Sequence, residues 1–238
     1  KQSPFTLTYK FGKSAVWSDG SKLDATDLAL AVTAAKVVQF NSVHFGSSLS
    51  EAKIVGTPNA GDTSLTLQFD QPIADWKTIL NVAVPAHIVG KSAGIGGNVA
   101  AVRAGVLKAI ESGNEDQIAK LALAYSDSFT ANSSVEDFVT TGAYAVTALS
   151  KEQVVLKAAR DFGGLHSGIA ETVNLKLFAD NASALKAMNS GSVDLIAPQV
   201  SLNEPQSDLV TQAQALSTKK VTVLAPGSSL SEQFVVNL

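Results

Sequence analysis

The 238-residue chain contains no cysteine. That absence removes disulfides and thiolate metal sites from consideration, although it names no compartment. A basic excess is also missing: 18 Lys and Arg stand against 21 Asp and Glu, a net charge of −3, which gives no electrostatic case for nucleic acid or an anionic membrane. No stretch reaches the roughly 18 apolar residues of a membrane span. The opening Lys-Gln-Ser-Pro has no apolar core of a signal peptide. Internal repeats, low-complexity tracts and long charge runs are absent as well. What remains is 45% hydrophobic, enough for a core in one large domain or two small ones.

Chemistry-bearing patterns are equally sparse. His44, His87 and His166 lie far apart and show no metal-ligand spacing, so His87 reads as a structural side chain satisfied by backbone. No Gly-x-Ser-x-Gly elbow supports a serine nucleophile, though a triad is defined by geometry and not by order. Gly12-Lys13-Ser14 and Gly90-Lys91-Ser92 lack the glycine that a phosphate-binding loop places five residues earlier, and both read as loop punctuation. Gly94-Ile95-Gly96-Gly97 has Val99 where a dinucleotide fingerprint wants its third glycine. Trp17 and Trp76 adjoin apolar faces and are expected in the core.

The informative stretch runs over residues 16–30. Phe5, Leu7 and Tyr9 alternate with Thr6 and Thr8, the period of a half-buried strand. Ser18-Asp19-Gly20 turns the chain. Asp24 stands at an N-cap, Asp27 adds charge to the first turn, and Leu28, Ala31, Val32 and Ala35 recur at amphipathic-helix spacing. The cap alone predicts a loss of ~0.5–2 kcal/mol for Asp24→Ala.

Further along, Leu65, Leu67 and Phe69 alternate in a strand, with a turn at residues 59–62 and a hairpin partner over residues 52–56. Pro72 ends that strand, and a short helix carrying Trp76, Ile79 and Leu80 follows. Val99, Val102, Val106 and Ile110 fit one helix closed by Gly113, and Asn114 with Gln117 opens another through Tyr125. Val173, Leu175 and Leu177 form a strand, Asp180 caps a helix carrying Ala184, Leu185 and Met188, and residues 193–196 read as a buried strand. Together they predict a parallel crossover between residues 173–178 and 193–196. A helix opening at Asn203 and strands at residues 221–224 and 234–236 complete the reading.

Four blocks in collinear order resemble the family 5 extracellular solute-binding proteins, the peptide-binding components of ABC importers. They are Trp17-Ser18-Asp19-Gly20 with its capped helix, Val84-Pro85-Ala86-His87-Ile88, Thr141-Gly142-Ala143-Tyr144, and Ala187-Met188-Asn189-Ser190-Gly191-Ser192-Val193-Asp194-Leu195. The resemblance implies a mixed α/β fold, lobe one of a type II, Venus-flytrap-like binding protein, with the second lobe absent. Residues 1–137 would be its small subdomain. Residues 138–238 would be part of its main subdomain, ending at the strand toward the hinge.

It further implies a non-enzymatic protein without cofactor, catalytic residue or metal. Such a protein captures a peptide or related small solute outside the cytoplasmic membrane and delivers it to a membrane permease. Nucleic acid is not among the implied partners, and the whole protein would be a monomer anchored by lipid at the cell surface or free in the periplasm. Thr141, Gly142, Ala143, Tyr144 and Asn237 are the expected ligand-binding residues, because small side chains leave main-chain groups open to a peptide. A ligand-sensing module of a regulator with the same fold and an envelope hydrolase are the alternatives.

Overall fold

The computed structural model describes residues 4–42, 47–80, 84–128, 134–159, 162, 164, 168–197, 212, 213 and 222. They fall in two compact units, residues 1–176 and 177–238. His44, His166, the helix expected from Asn203, the strands expected at residues 221–224 and 234–236, and Asn237 lie outside the described residues.

The first unit is organised around a buried helix. Strand β1 (Phe5–Lys10) pairs antiparallel with β3 (Ser64–Phe69), and the short β2 (Lys53–Ile54) pairs with the other edge of β3. The register sets Phe5, Leu7 and Tyr9 opposite Phe69, Leu67 and Leu65, so the alternation read from sequence becomes one apolar face. On the outer face the Thr8 and Thr66 hydroxyls meet at 2.9 Å.

Helix α1 (Ala25–Lys36) lies against that face through Leu28, Val32 and Ala35, which join Leu49, Ala52, Leu65, Leu67 and Phe69 in one cluster. Its opposite side carries Leu30 and Ala34 into a second cluster with residues of α2 (Ala86–Ser92), α3 (Val99–Ser112) and α4 (Glu115–Asp127). Every residue from Ala25 to Ala35 is buried. The expected amphipathic helix is therefore buried all round, because it is the middle layer between a sheet and a helical layer.

Both capped helices in the following stretch form as expected. Asn98 and Asn114 accept from Ala101 N and Gln117 N, and α3 ends at Gly113. Two expectations fail here. Gly90-Lys91-Ser92 is helix and not loop, since α2 packs closely on α3: a Cβ at Gly90 would lie 2.6 Å from both Val102 Cγ1 and Val106 Cγ2. The short helix after Pro72 is only a turn in which Thr78 N and Ile79 N donate to the Asp75 carbonyl, one turn being too little to offset helix nucleation. A third expectation fails with it: that turn docks Ile79 on the core but leaves Trp76 42% exposed and outside the core, with Lys77 Nζ 5.1 Å from its ring centre.

A second sheet follows as a meander of β4 (Tyr144–Leu149), β5 (Gln153–Ala158) and β6 (Thr172–Lys176), all antiparallel, with a bulge between Val146 and Ala148. In the other unit Asp180 caps α5 (Asn181–Asn189) through Ser183 N at 2.7 Å, as expected. The second strand of the expected parallel crossover is not found. Residues 193–196 make no strand among the described residues, and Leu195 is 80% exposed where a parallel strand would be buried on both faces. The fold class is mixed α/β, with both described sheets antiparallel.

Gly90→Ala is expected to destabilise the chain by ~1–3 kcal/mol, because the stiff valine side chains of α3 must move to admit the methyl group. Urea denaturation measures this. Adding Val106→Ala should recover part of the loss, and a fully stable Gly90→Ala would contradict the close helix packing.

Candidate functional site

Four segments converge at the N-terminus of α1. Asp24 is its N-cap: Oδ1 accepts from Thr26 N at 2.9 Å, while Oδ2 accepts from Gly61 N at 2.7 Å and Arg103 Nη1 at 3.0 Å. Asp27 closes the capping box by accepting from Asp24 N at 3.0 Å, and it also accepts from Ala86 N of α2 at 2.8 Å and Trp17 Nε1 at 3.2 Å. Burial pushes the Asp27 carboxyl above its ordinary value, against the opposing pull of these donors and Arg103. Arg103 donates its Nη2 to the Lys22 carbonyl at 2.7 Å and lies 3.7 Å from Asp27 Oδ2. All three charged side chains are buried.

His87 extends this cluster outward. Its Nε2 lies 2.8 Å from Asp19 Oδ2, and its Nδ1 lies 3.5 Å from Arg103 Nη2. A carboxylate on one side and a guanidinium on the other fit the tautomer in which Nε2–H donates and Nδ1 accepts. His87 is thus held by side chains and not by backbone, contrary to expectation, because the ring bridges the turn and α3. Asp19 Oδ1 accepts from Ser21 N at 2.9 Å and Ser21 Oγ at 2.7 Å. Burial pushes the Asp19 carboxyl up, but the bonds from Ser21 and His87 outweigh it and hold the group below its ordinary value.

The turn itself is closed by Trp17 N to Ser21 O at 2.8 Å and Gly20 N to Trp17 O at 2.9 Å, with Gly20 at φ 84° as the turn requires. Trp17 is buried beneath it at 1% exposure, as expected. Ser18 N then donates to the Thr140 carbonyl at 2.7 Å, and Thr140 N donates to Ser18 Oγ at 3.0 Å. These two bonds bring the Trp17–Gly20 turn to the Thr140–Tyr144 segment. Between them opens a cleft of about 320 Å³, with Trp17, Asp19, Gly20, Thr140, Gly142 and Phe162 among its lining residues.

Of the expected binding residues, Gly142 lines this cleft, where a Cβ would meet only the Tyr144 main chain at 4.0 Å. Thr141 and Ala143 flank it in the chain. Ala143 O accepts from Ala159 N at 2.9 Å, and Tyr144 starts β4 with its hydroxyl accepting from Ala170 N at 3.2 Å. Asn237 is outside the described residues. A larger hollow of about 430 Å³ between α2 and α4 touches none of the expected binding residues.

The site also gathers residues that sequence reading leaves apart. Arg103 carries no motif, although an arginine between Val102 and Val106 on a buried helix face is the signature of an internal ion pair. Ser21, His87 and Asp19 meet, yet Ser21 Oγ lies 3.4 Å from the same Nε2 that binds Asp19. A catalytic triad needs the acid on the other ring nitrogen, so this trio is a brace and not a charge relay. Among the described residues no group of three His, Cys, Asp or Glu could hold a metal, and no helix is long and apolar enough to cross a membrane.

The mixed α/β fold is shared with solved solute-binding proteins. The chain resembles the solved periplasmic EDTA-binding protein EppA at 19% identity and TM-score 0.58, over 90% of this chain and 34% of that one. It resembles lactococcal OppA, complexed with an endogenous peptide in the closed conformation, at 16% identity and TM-score 0.59, over 87% and 35%. The oligopeptide-binding protein of Thermus thermophilus, complexed with a pentapeptide, matches at 18% identity and TM-score 0.56, over 79% and 31%. The chain spans about a third of the length of these structures. No curated protein matches it. The family profile described as bacterial extracellular solute-binding proteins, family 5 Middle, matches residues 2–230, and the chain belongs to that family.

Asp24→Ala is expected to lose more than the cap, about 3–5 kcal/mol, because it strands a buried guanidinium. Asp24→Asn keeps the cap and removes the charge; native-like stability of that variant in urea denaturation would show that capping is the whole role of Asp24. For Asp19 the lowered carboxyl makes its contribution present above the ordinary value of 3.8 and lost as pH falls through the folded value. The stability gap between the native chain and Asp19→Asn should therefore be widest near neutral pH and close in acid. A gap that widens in acid would contradict the assignment.

Proposed function

We propose that this chain is part of the substrate-binding component of an ABC importer, which captures peptides or a related small solute outside the cytoplasmic membrane. The observation that carries this reading is the cleft at which the Trp17–Gly20 turn and the Thr140–Tyr144 segment meet. Its walls combine apolar side chains with exposed main chain at Gly20 and Gly142, a mixture suited to a polar peptide backbone. Thr141, Gly142, Ala143 and Tyr144 border the ligand in this reading, which also takes residues 1–137 as the small subdomain and 138–238 as part of the main one. Peptide groups bond to main chain directly or through water, giving broad specificity. The partner is a membrane permease, reached after hinge closure on the ligand, and the whole protein is a lipid-anchored monomer.

The function is binding without covalent chemistry. The polar cluster beside the cleft braces the wall, and its histidine is occupied on both ring nitrogens.

Amide NMR of the ¹⁵N-labelled protein, titrated with a mixed library of di- to pentapeptides, tests the proposal. Saturable shifts at Gly20 and Gly142 are expected, and Gly142→Leu, which fills the cleft, should abolish them. Shifts confined to the hollow between α2 and α4, or none at all, would overturn the proposal.

A further inference from the structure

We infer that the cleft beside the Trp17–Gly20 turn recognises a cationic group of the ligand, an ammonium or guanidinium, with Asp19 as its counter-ion; the inference rests on the peptide-binding reading and adds a charge preference to it. Among the described residues lining the cleft, Asp19 is the one charged side chain. Its side chain is 33% exposed, whereas that of His87 behind it is 5% exposed, so the carboxylate marks the boundary between the buried cluster and the cleft.

The hydrogen-bond inventory leaves room for a further donor. An ionised carboxylate offers about four acceptor positions. Ser21 N and Ser21 Oγ take two on Oδ1, and His87 Nε2 takes one on Oδ2. Among the described residues no donor takes the remaining position on Oδ2, and the donors already present keep the group ionised by holding its carboxyl below the ordinary range.

The rest of the cleft suits the stem of such a cation. Val16, Ala145, Ala159 and Phe162 give it an apolar wall, along which the methylene groups of a lysine or arginine side chain can lie while the head reaches the carboxylate. A charge-assisted bond in a partly enclosed site is stronger than a neutral one. Neighbouring Arg103 does not cancel Asp19, because its guanidinium is already committed to Asp24 and the Lys22 carbonyl.

Amide NMR with two matched pairs of probes tests this. n-Butylammonium is compared with n-butanol, and N-acetylated Ala-Lys-Ala, whose one cation is the lysine ammonium, with its N-acetylated norleucine analogue, following Gly20 and Gly142. The cationic member of each pair should bind at least about tenfold more tightly, a difference within the range of a hydrogen bond to a charged group. Asp19→Asn should remove that preference, and Gly142→Leu should remove binding of both members. Equal affinity within the pairs, or a preference that survives Asp19→Asn, overturns the inference. The comparison on the native protein decides the matter even if Asp19→Asn fails to fold. Norleucine and lysine peptides binding equally leaves the peptide reading standing without the charge preference. Butylammonium binding through Asp19 with no response to either peptide leaves the cation site standing and removes the peptide reading.

Discussion

The buried contact of Arg103 with Asp24 is the constraint on which the surrounding structure depends. A guanidinium and a carboxylate taken from water are tolerated only when each is met by further partners, and removing one leaves the other uncompensated. Arg103 comes from α3, Asp24 from the start of α1, Gly61 from the turn before β3, and Lys22 from the segment after the Trp17–Gly20 turn. Asp27 adds the first residue of α2 and the indole of Trp17. The positions of these segments are therefore set by one set of hydrogen bonds, which sits where the positive end of the α1 dipole favours carboxylates.

The apolar layers make that cluster dry. Leu28, Val32 and Ala35 face the sheet while Leu30 and Ala34 face the helices, so no side of α1 is open to water. Gly90 permits the close approach of α2 to α3 that completes the cover. From the dry end, His87 and Asp19 carry the hydrogen-bond chain out to the cleft, and Ser18 ties the same turn to Thr140. The cleft wall is thereby fixed from behind before anything enters it.

Local chemistry is legible in the sequence wherever it acts within a few residues. Alternation in Phe5, Leu7 and Tyr9, the Asp24 cap, the Asn114 cap and the Asp180 cap all depend on neighbours along the chain, and each appears where its pattern lies. The β4–β5 hairpin escapes such a reading although Val146, Leu149, Val154 and Leu156 flank a short polar turn. The parallel crossover rests on a strand-helix-strand order, which says nothing about whether a ladder partner exists for residues 193–196. An adjoining apolar face and aromatic size assign Trp76 to the core, but a single turn that buries Ile79 leaves the indole outside.

By itself the sequence determined the periodicities, the caps, the turn at Asp19-Gly20 and the order of the family blocks, because these are written in adjacent residues. Tertiary structure alone decided that Arg103 meets Asp24 across 79 positions, that Asp19 meets His87 across 68, and that Ser18 meets Thr140 across 122. No local preference encodes such pairings. The first follows from burying both faces of α1, which takes the charged groups at its end out of water and leaves them to pair with one another and with nearby main chain.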